Sequence, residues 1–241
     1  MVGTLTGIMA LAAVVPALAS SPQSTNLLSN GNNWRVYNIA PATNYLWDIN
    51  KAESDGAGGV QFPFQQFVAT DAGSFAVYLQ DNYNVDLMDK TITADVNWTP
   101  ATGPETYVTR GPATDGAYVR LEFQDVASGN YTSNDYWWYS GSGGVANLNT
   151  ESSANLVASL ADRANWTNVC GQSAADITAH PGPNCVGGTD PAVSPYDGFT
   201  NAMKNVKEVN LSFGRASRYA SGVAASGTDQ AIFDMTSFTV N

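Results

Sequence analysis

Five segments of the chain switch between apolar and polar residues with a period of two: 75–79, 91–98, 118–124, 209–213 and 232–240. In the second, Ile92, Ala94, Val96 and Trp98 fall on one side, and Thr91, Thr93, Asp95 and Asn97 on the other. Alternation of this kind puts one face of a β-strand in a core and the other toward solvent. Gly, Asp and Asn clusters bound the segments, as antiparallel strands joined by turns require. Further strands are expected at 34–39, 66–69, 135–139 and 154–159. Helical periodicity is scarce. Residues 197–206 fit one short helix with Asp197 as its cap and Phe199, Met203 and Val206 facing inward. The stretch 173–196 carries Pro181, Pro183, Pro191 and Pro195 and reads as a long loop. No repeat of about 20–50 residues recurs, which removes solenoids and propellers. No polar linker divides the chain. The pattern therefore predicts an all-β fold, a single antiparallel β-sandwich with one short helix, over residues 34–241.

Residues 5–18 form an apolar stretch too short to span a bilayer. It runs into Ala17-Leu-Ala19, the small-x-small pattern that a signal peptidase accepts, so 1–19 is expected to be a signal peptide and 20–33 an N-terminal extension. The positive n-region is missing, because no Lys or Arg precedes Arg35; a natural start upstream of Met1 would explain that. Localisation is expected to be secreted and extracellular, with no membrane contact after cleavage.

Charge sharpens this picture. Ten basic residues against 21 acidic ones give a net charge of −11, and no basic run exists for a phosphate backbone or anionic lipid. Nucleic acid is therefore excluded as a partner. Only 13% of residues are charged, but 44% hydrophobic and 11% aromatic content supplies a core and rules out disorder. The two cysteines, Cys170 and Cys185, are expected to form a disulfide in a secreted chain. Asn97, Asn130, Asn165 and Asn210 each head an Asn-x-Ser/Thr triplet that a eukaryotic host could glycosylate.

A resemblance then enters through the C-terminal half. Its layout runs Ser159-Leu-Ala-Asp-Arg-Ala-Asn-Trp166, Gly171, Phe199-Thr-Asn-Ala-Met-Lys-Asn-Val206, Leu211-Ser-Phe-Gly214, Tyr219-Ala-Ser-Gly-Val-Ala224 and Phe233-Asp-Met-Thr-Ser-Phe-Thr-Val240. This resembles poorly characterised secreted bacterial β-sandwich proteins, some with PEP-CTERM sorting tails. It is also similar to laminin IV (laminin B) modules and, more loosely, to galactose-binding-like carbohydrate-binding modules. The resemblance covers residues 155–241 well and 60–140 weakly, and its motifs are structural. The sorting tail is missing, which points to release and not to surface anchoring. Jelly-roll modules of this type often hold a structural Ca2+ between early and late strands, and the resemblance implies Asp48 and Asp234 as its ligands.

Candidate chemistry concentrates in two places. Alternation puts Val119, Leu121 and Phe123 on one face of the 118–124 strand and Tyr118, Arg120, Glu122 and Gln124 on the other. That second row suits sugar hydroxyls or a carboxylate; it equally fits an exposed sheet face carrying an Arg120–Glu122 ion pair. Close by, Tyr136, Trp137, Trp138 and Tyr139 cannot all hide in one core. Tyr136 or Trp138 could stack on a pyranose ring, although loops could also cover these aromatics. Trp98 and Trp166 are assigned to the core. Sixteen of the acids are Asp, many in turns such as 48–56 and 81–86, where Asp serves turn formation as readily as Ca2+ binding.

Catalytic signatures are mostly missing. His180 is the only histidine, which argues against triads and mononuclear zinc sites, and the Gly-rich run 140–144 lacks a phosphate-loop context. Paired-carboxylate chemistry could join Glu122 to Glu151, Asp125 or Asp135, and a lyase could use Tyr118 or His180 beside Arg120. No cofactor for catalysis is expected. The leading reading is a secreted, non-catalytic carbohydrate-binding or matrix-associated module with a polysaccharide partner. The alternatives are a small polysaccharide hydrolase or lyase on the same face, and a structural or adhesive sandwich that binds protein. An open concave groove along the Arg120–Glu122 strand favours the sugar readings, and a covered face ends both of them.

Overall fold

The structure, a computed structural model, describes residues 25–30, 33–39, 47–66, 73–79, 86–101, 106–109, 116–125, 132–183, 189–190, 192–214, 222–227 and 230–241. The first strands are β1 (Thr25–Asn26), β2 (Trp34–Ile39), β3 (Trp47–Lys51), β4 (Glu53–Ser54), β5 (Val60–Pro63) and β6 (Gly73–Leu79). Then come β7 (Thr91–Trp98), β8 (Thr106–Thr109), β9 (Tyr118–Gln124), β10 (Tyr136–Tyr139), β11 (Val145–Asn147) and β12 (Ser153–Ser159). The last are β13 (Trp166–Asn168), β14 (Gly182–Pro183), β15 (Thr189–Asp190), β16 (Glu208–Gly214), β17 (Val223–Ser226) and β18 (Ile232–Val240). One α-helix, α1 (Pro195–Met203), precedes β16.

Two antiparallel sheets face each other. Sheet A runs β12-β7-β18-β5-β4, with β1 also on β18. Sheet B runs β13-β10-β9-β16-β6-β17-β8, with β11 on β9, β2 on β6 and β3 on β2. Their inner faces interlock through rings. Trp34 of β2 meets Phe238 of β18 at 5.2 Å, and Phe213 of β16 meets Phe233 of β18 edge-on at 4.9 Å. The predicted inward residues Val119, Leu121 and Phe123 are fully buried there. Burying side chains of this size contributes about 1.5–3 kcal/mol each. The all-β sandwich expected from alternation is the observed fold.

At one end of sheet B the helix adds to the core. Phe199 packs on Trp137 at 4.9 Å and on Phe123 at 5.5 Å, with Trp166 beside it at 5.8 Å. Phe199, Met203 and Val206 face inward as expected, Val206 from beyond the last turn. The cap differs from the expectation. Ser194, not Asp197, caps the helix: its hydroxyl accepts from the Asp197 N–H at 3.1 Å, and Pro195 occupies the first turn, where no N–H is needed.

Seven of the nine expected strands, β2, β7, β9, β10, β12, β16 and β18, match to within a residue at each end, and β6 starts two residues before its expected start. Strand β10 starts at Tyr136 because Asp135 belongs to a tight 3-10 turn, where its carboxylate accepts from the Thr132 N–H at 2.6 Å. Of the expected strand 66–69, only Gln66 is described, as a bridge to Ala225. The expected signal peptide lies outside the described residues, as does most of 81–86. Among the described residues no helix is long and apolar enough to cross a membrane.

Candidate functional site

Strand pairing assembles the outer face of sheet B from residues far apart in sequence. Directly opposed residues share a face. One row therefore runs Thr167, Trp138, Glu122, Asn210, Tyr78 and Arg35 across six strands. The next row holds Val145, Arg120, Ser212, Ala76 and Tyr37. A third holds Tyr136, Gln124 and Glu208. On the opposite side of β16, Val209, Leu211 and Phe213 belong to the core.

The sequence row Tyr118, Arg120, Glu122 and Gln124 thus does lie on one face, but its centre is not open to solvent. Arg120 is 1% exposed and Glu122 2%, whereas Tyr118 and Gln124 are half-buried. This corrects the expectation of an exposed row. Trp138 is 3% exposed although it stands outside the apolar core, and Arg120 lies 5.7 Å from its ring centre. Tyr136 stacks beside Trp138 at 6.0 Å and 11°, and is itself half-buried. Trp137 and Tyr139 point the other way, into the core with Trp98 and Trp166.

Burial dominates the electrostatics. It pushes the Glu122 carboxyl up to about 7. The Gln124 amide, donating to Glu122 Oε1 at 2.7 Å, and the Arg120 charge oppose that rise, while the Glu208 charge adds to it. Asn210 also favours the ionised form. Yet neither of its amide atoms reaches full hydrogen-bond geometry with a partner among the described residues. Burial lowers the Arg120 guanidinium to about 10, against the pull of Glu122, and raises Glu208 to about 7. Taking two opposite charges out of water costs more than their attraction returns unless their geometry is good, so this pair is no cheap structural staple.

Buried hydrogen-bonding groups without partners cluster on this face. The Ser212 and Thr167 hydroxyls are buried with no partner among the described residues, and the buried Asn210 amide, which supports the Glu122 carboxylate, falls short of full hydrogen-bond geometry. Such groups cost about 1–3 kcal/mol each and call for an explanation.

Glu208 is the member that sequence reasoning missed. Glu122 was matched with Glu151, Asp125 or Asp135. In the structure Glu151 accepts from the Asn147 N–H in a turn, and Asp125, held by Asn205, is raised by burial and by Asp135. The carboxylate whose charge bears on Glu122 is Glu208. Its even spacing with Asn210 and Ser212 is the signal that could have put it on their face; the pairing of β16 with β9 was not readable. His180 sits on an exposed loop paired with Asp176 at 2.8 Å, which also holds the Asp176 carboxyl below its ordinary value.

The two Ca2+ candidates occupy different sheets. Asp48 pairs with Asn38 in sheet B, and Asp234 pairs with Gln61 and Asn97 in sheet A. Asp234 neighbours Asp55 instead. Burial and the Asp55 charge raise its pKa against an Asn97 hydrogen bond, and its Oδ1 is buried without a partner among the described residues. Among the described residues no three His, Cys, Asp or Glu side chains group as a metal site would need. Cys170 is a bonded cysteine and not a free thiol, and Cys185 lies outside the described residues. Of the glycosylation triplets, Asn97 is exposed, Asn165 half-buried and Asn130 outside the described residues, whereas Asn210 is fully buried.

No family model matches the chain, and no curated protein matches it. Among solved structures it is similar to a xylan-binding module, CBM15, at 13% sequence identity, with 90% of this chain and 95% of that chain covered and a TM-score of 0.38. That likeness is too distant to bear on function.

Proposed function

We propose that this chain is a secreted, non-catalytic carbohydrate-binding sandwich, and that a polysaccharide lies along the outer face of sheet B. The observation that carries the reading is the unspent hydrogen-bonding capacity of Asn210, Ser212 and Thr167, set among Arg120, Glu122 and the Tyr136–Trp138 stack. Sugar hydroxyls donate and accept at once and would satisfy such groups, while a ring face offers a pyranose its C–H side. First contact falls to the half-buried margin: Tyr118, Gln124 and Tyr136. The covered centre goes against the open groove expected for sugar binding, so the reading survives only through that margin. Reaching Asn210 and Ser212 requires the buried face to open. A Cys170–Cys185 bridge belongs to the same proposal as a support of the scaffold.

A glycan array read with the whole chain tests this. Binding that is lost in Tyr136→Ala and in Gln124→Ala, with thermal unfolding unchanged, supports the reading; an array with no binder sinks it.

The burial of Arg120 and Glu122 favours a second reading, a structural or adhesive sandwich whose charged pair fixes strand register. Capture of a protein partner from native secretions, unaffected by Tyr136→Ala and by competing glycans, would select it. The hydrolase or lyase reading needs the same buried face to open before Glu122, 2% exposed, could meet a glycosidic oxygen.

A further inference from the structure

The outer face of sheet B carries more acid than base around its centre. Glu122 is faced by Arg120 and Gln124 on its own strand, by Glu208 and Asn210 on β16, and by Trp138 and Tyr136 on β10. From β11 come only Val145 and Asn147, neither charged. At the strand ends next to Gln124 lie Asp125 and Asp135, with Lys207 acting on Asp125. Among the described residues that makes four carboxyl groups, Glu122, Glu208, Asp125 and Asp135, against two cations, Arg120 and Lys207. Arg35 shares the Glu122 row but sits three strands away. Glu208 is the carboxyl of the Glu122–Glu208 pair that stays half-exposed, so it is the one an arriving ligand meets.

We propose that Glu208 is a specificity-determining residue which, together with Glu122, makes this face accept uncharged glycan chains and refuse acidic ones. This rests on the carbohydrate reading above and narrows it to a ligand class. The physical reason is electrostatic. Arg120 is already engaged by the Glu122 charge. A uronate or sulfate ester therefore brings a further negative group to a face that offers it no further cation among the described residues facing Glu122 and Glu208, and like charges brought together repel. The refusal must steepen with pH. At low pH Glu122 and Glu208 are protonated and repel an anion weakly; above neutrality both ionise, and the repulsion is complete.

The test measures affinity of the whole chain for three uncharged probes (a β-glucan, a mannan and an unsubstituted xylan) and two acidic ones, polygalacturonate and alginate. It is run at about pH 5 and about pH 8, on either side of the Glu208 and Glu122 transitions. The expected result is binding of at least one uncharged probe, with the acidic probes weaker by about tenfold or more at the higher pH, a factor equivalent to about 1.4 kcal/mol. The gap narrows at the lower pH. Glu208→Gln shrinks the gap at high pH, and Glu208→Asp, which keeps the charge, restores it. Acidic probes that bind as tightly as uncharged ones at high pH overturn the proposal while leaving the carbohydrate reading intact, and so does a gap that Glu208→Gln leaves unchanged. No affinity for any probe at either pH overturns the carbohydrate reading itself, and the specificity claim with it.

Discussion

Strands β7 and β9 carry the same kind of alternating sequence, and the protein treats them differently. Along β7, Ile92, Ala94, Val96 and Trp98 are buried while Thr91, Thr93 and Asp95 are half-exposed and Asn97 is exposed. Along β9, burial is continuous from Val119 to Phe123, so that Arg120 and Glu122 are as hidden as Leu121 between them. The outer face of sheet A meets water; the outer face of sheet B meets it only at its margin. Alternation therefore tells which residues share a face, and it is silent on whether that face is wet.

The largest expected effect comes from breaking the hidden face. Arg120→Ala strands Glu122 as an uncompensated buried acid and should cost about 3–5 kcal/mol, comparable to the ~2–5 kcal/mol expected for Leu121→Ala in the core. Urea denaturation measures both. If Arg120→Ala behaves like a surface change, the centre of sheet B is open to water.

Next comes proton linkage. Glu122 and Glu208 are raised in the folded state from about 4.5 to about 7, so the native state holds protons that the unfolded chain has released. Their contribution to stability is therefore complete below about pH 4.5 and is lost as pH rises through 7. The protein should be more stable near pH 5 than near pH 8, and Glu122→Gln should flatten that slope. A stability profile rising over the same interval contradicts the assignment.

A smaller loss, about 1 kcal/mol, is expected for Ser194→Ala, which removes the cap of α1; Asp197→Asn, by contrast, leaves that cap in place. The smallest effect belongs to the wet face. Asp95 accepts from Asn155 at 2.6 Å in the open, and Asn155→Ala should change stability by no more than about 0.5 kcal/mol.

Much of the fold was legible because a period of two survives without knowledge of partners. Residues 91–98, 118–124 and 232–240 needed no tertiary information to be recognised as strands, and Trp98 and Trp166 were placed in the core on context alone. The cap of α1 was misassigned because Asp197 and Ser194 both suit that role chemically, and only the presence of Pro195 inside the first turn decides between them. The site was half legible. Tyr118, Arg120, Glu122 and Gln124 were found together, since they lie on one strand. Asn210, Ser212 and Glu208 were not joined to them, because strand order is set by long-range packing that local pattern does not encode. The same limit separates Asp48 from Asp234: both lie on strands, and only the pairing of those strands puts them in different sheets.

The buried position of Asn210 bears on how the protein can be made. Asn210-Leu-Ser212 is an acceptor triplet for a transferase that acts on chains before they fold, and Asn210 then becomes the centre of β16, held between β9 and β6. A glycan attached there could not be enclosed, and the strand would be kept out of its sheet. A eukaryotic secretory host would thus divide the product into a folded fraction bare at Asn210 and a modified fraction that fails quality control, whereas Asn210→Gln would lose the acceptor and return the yield.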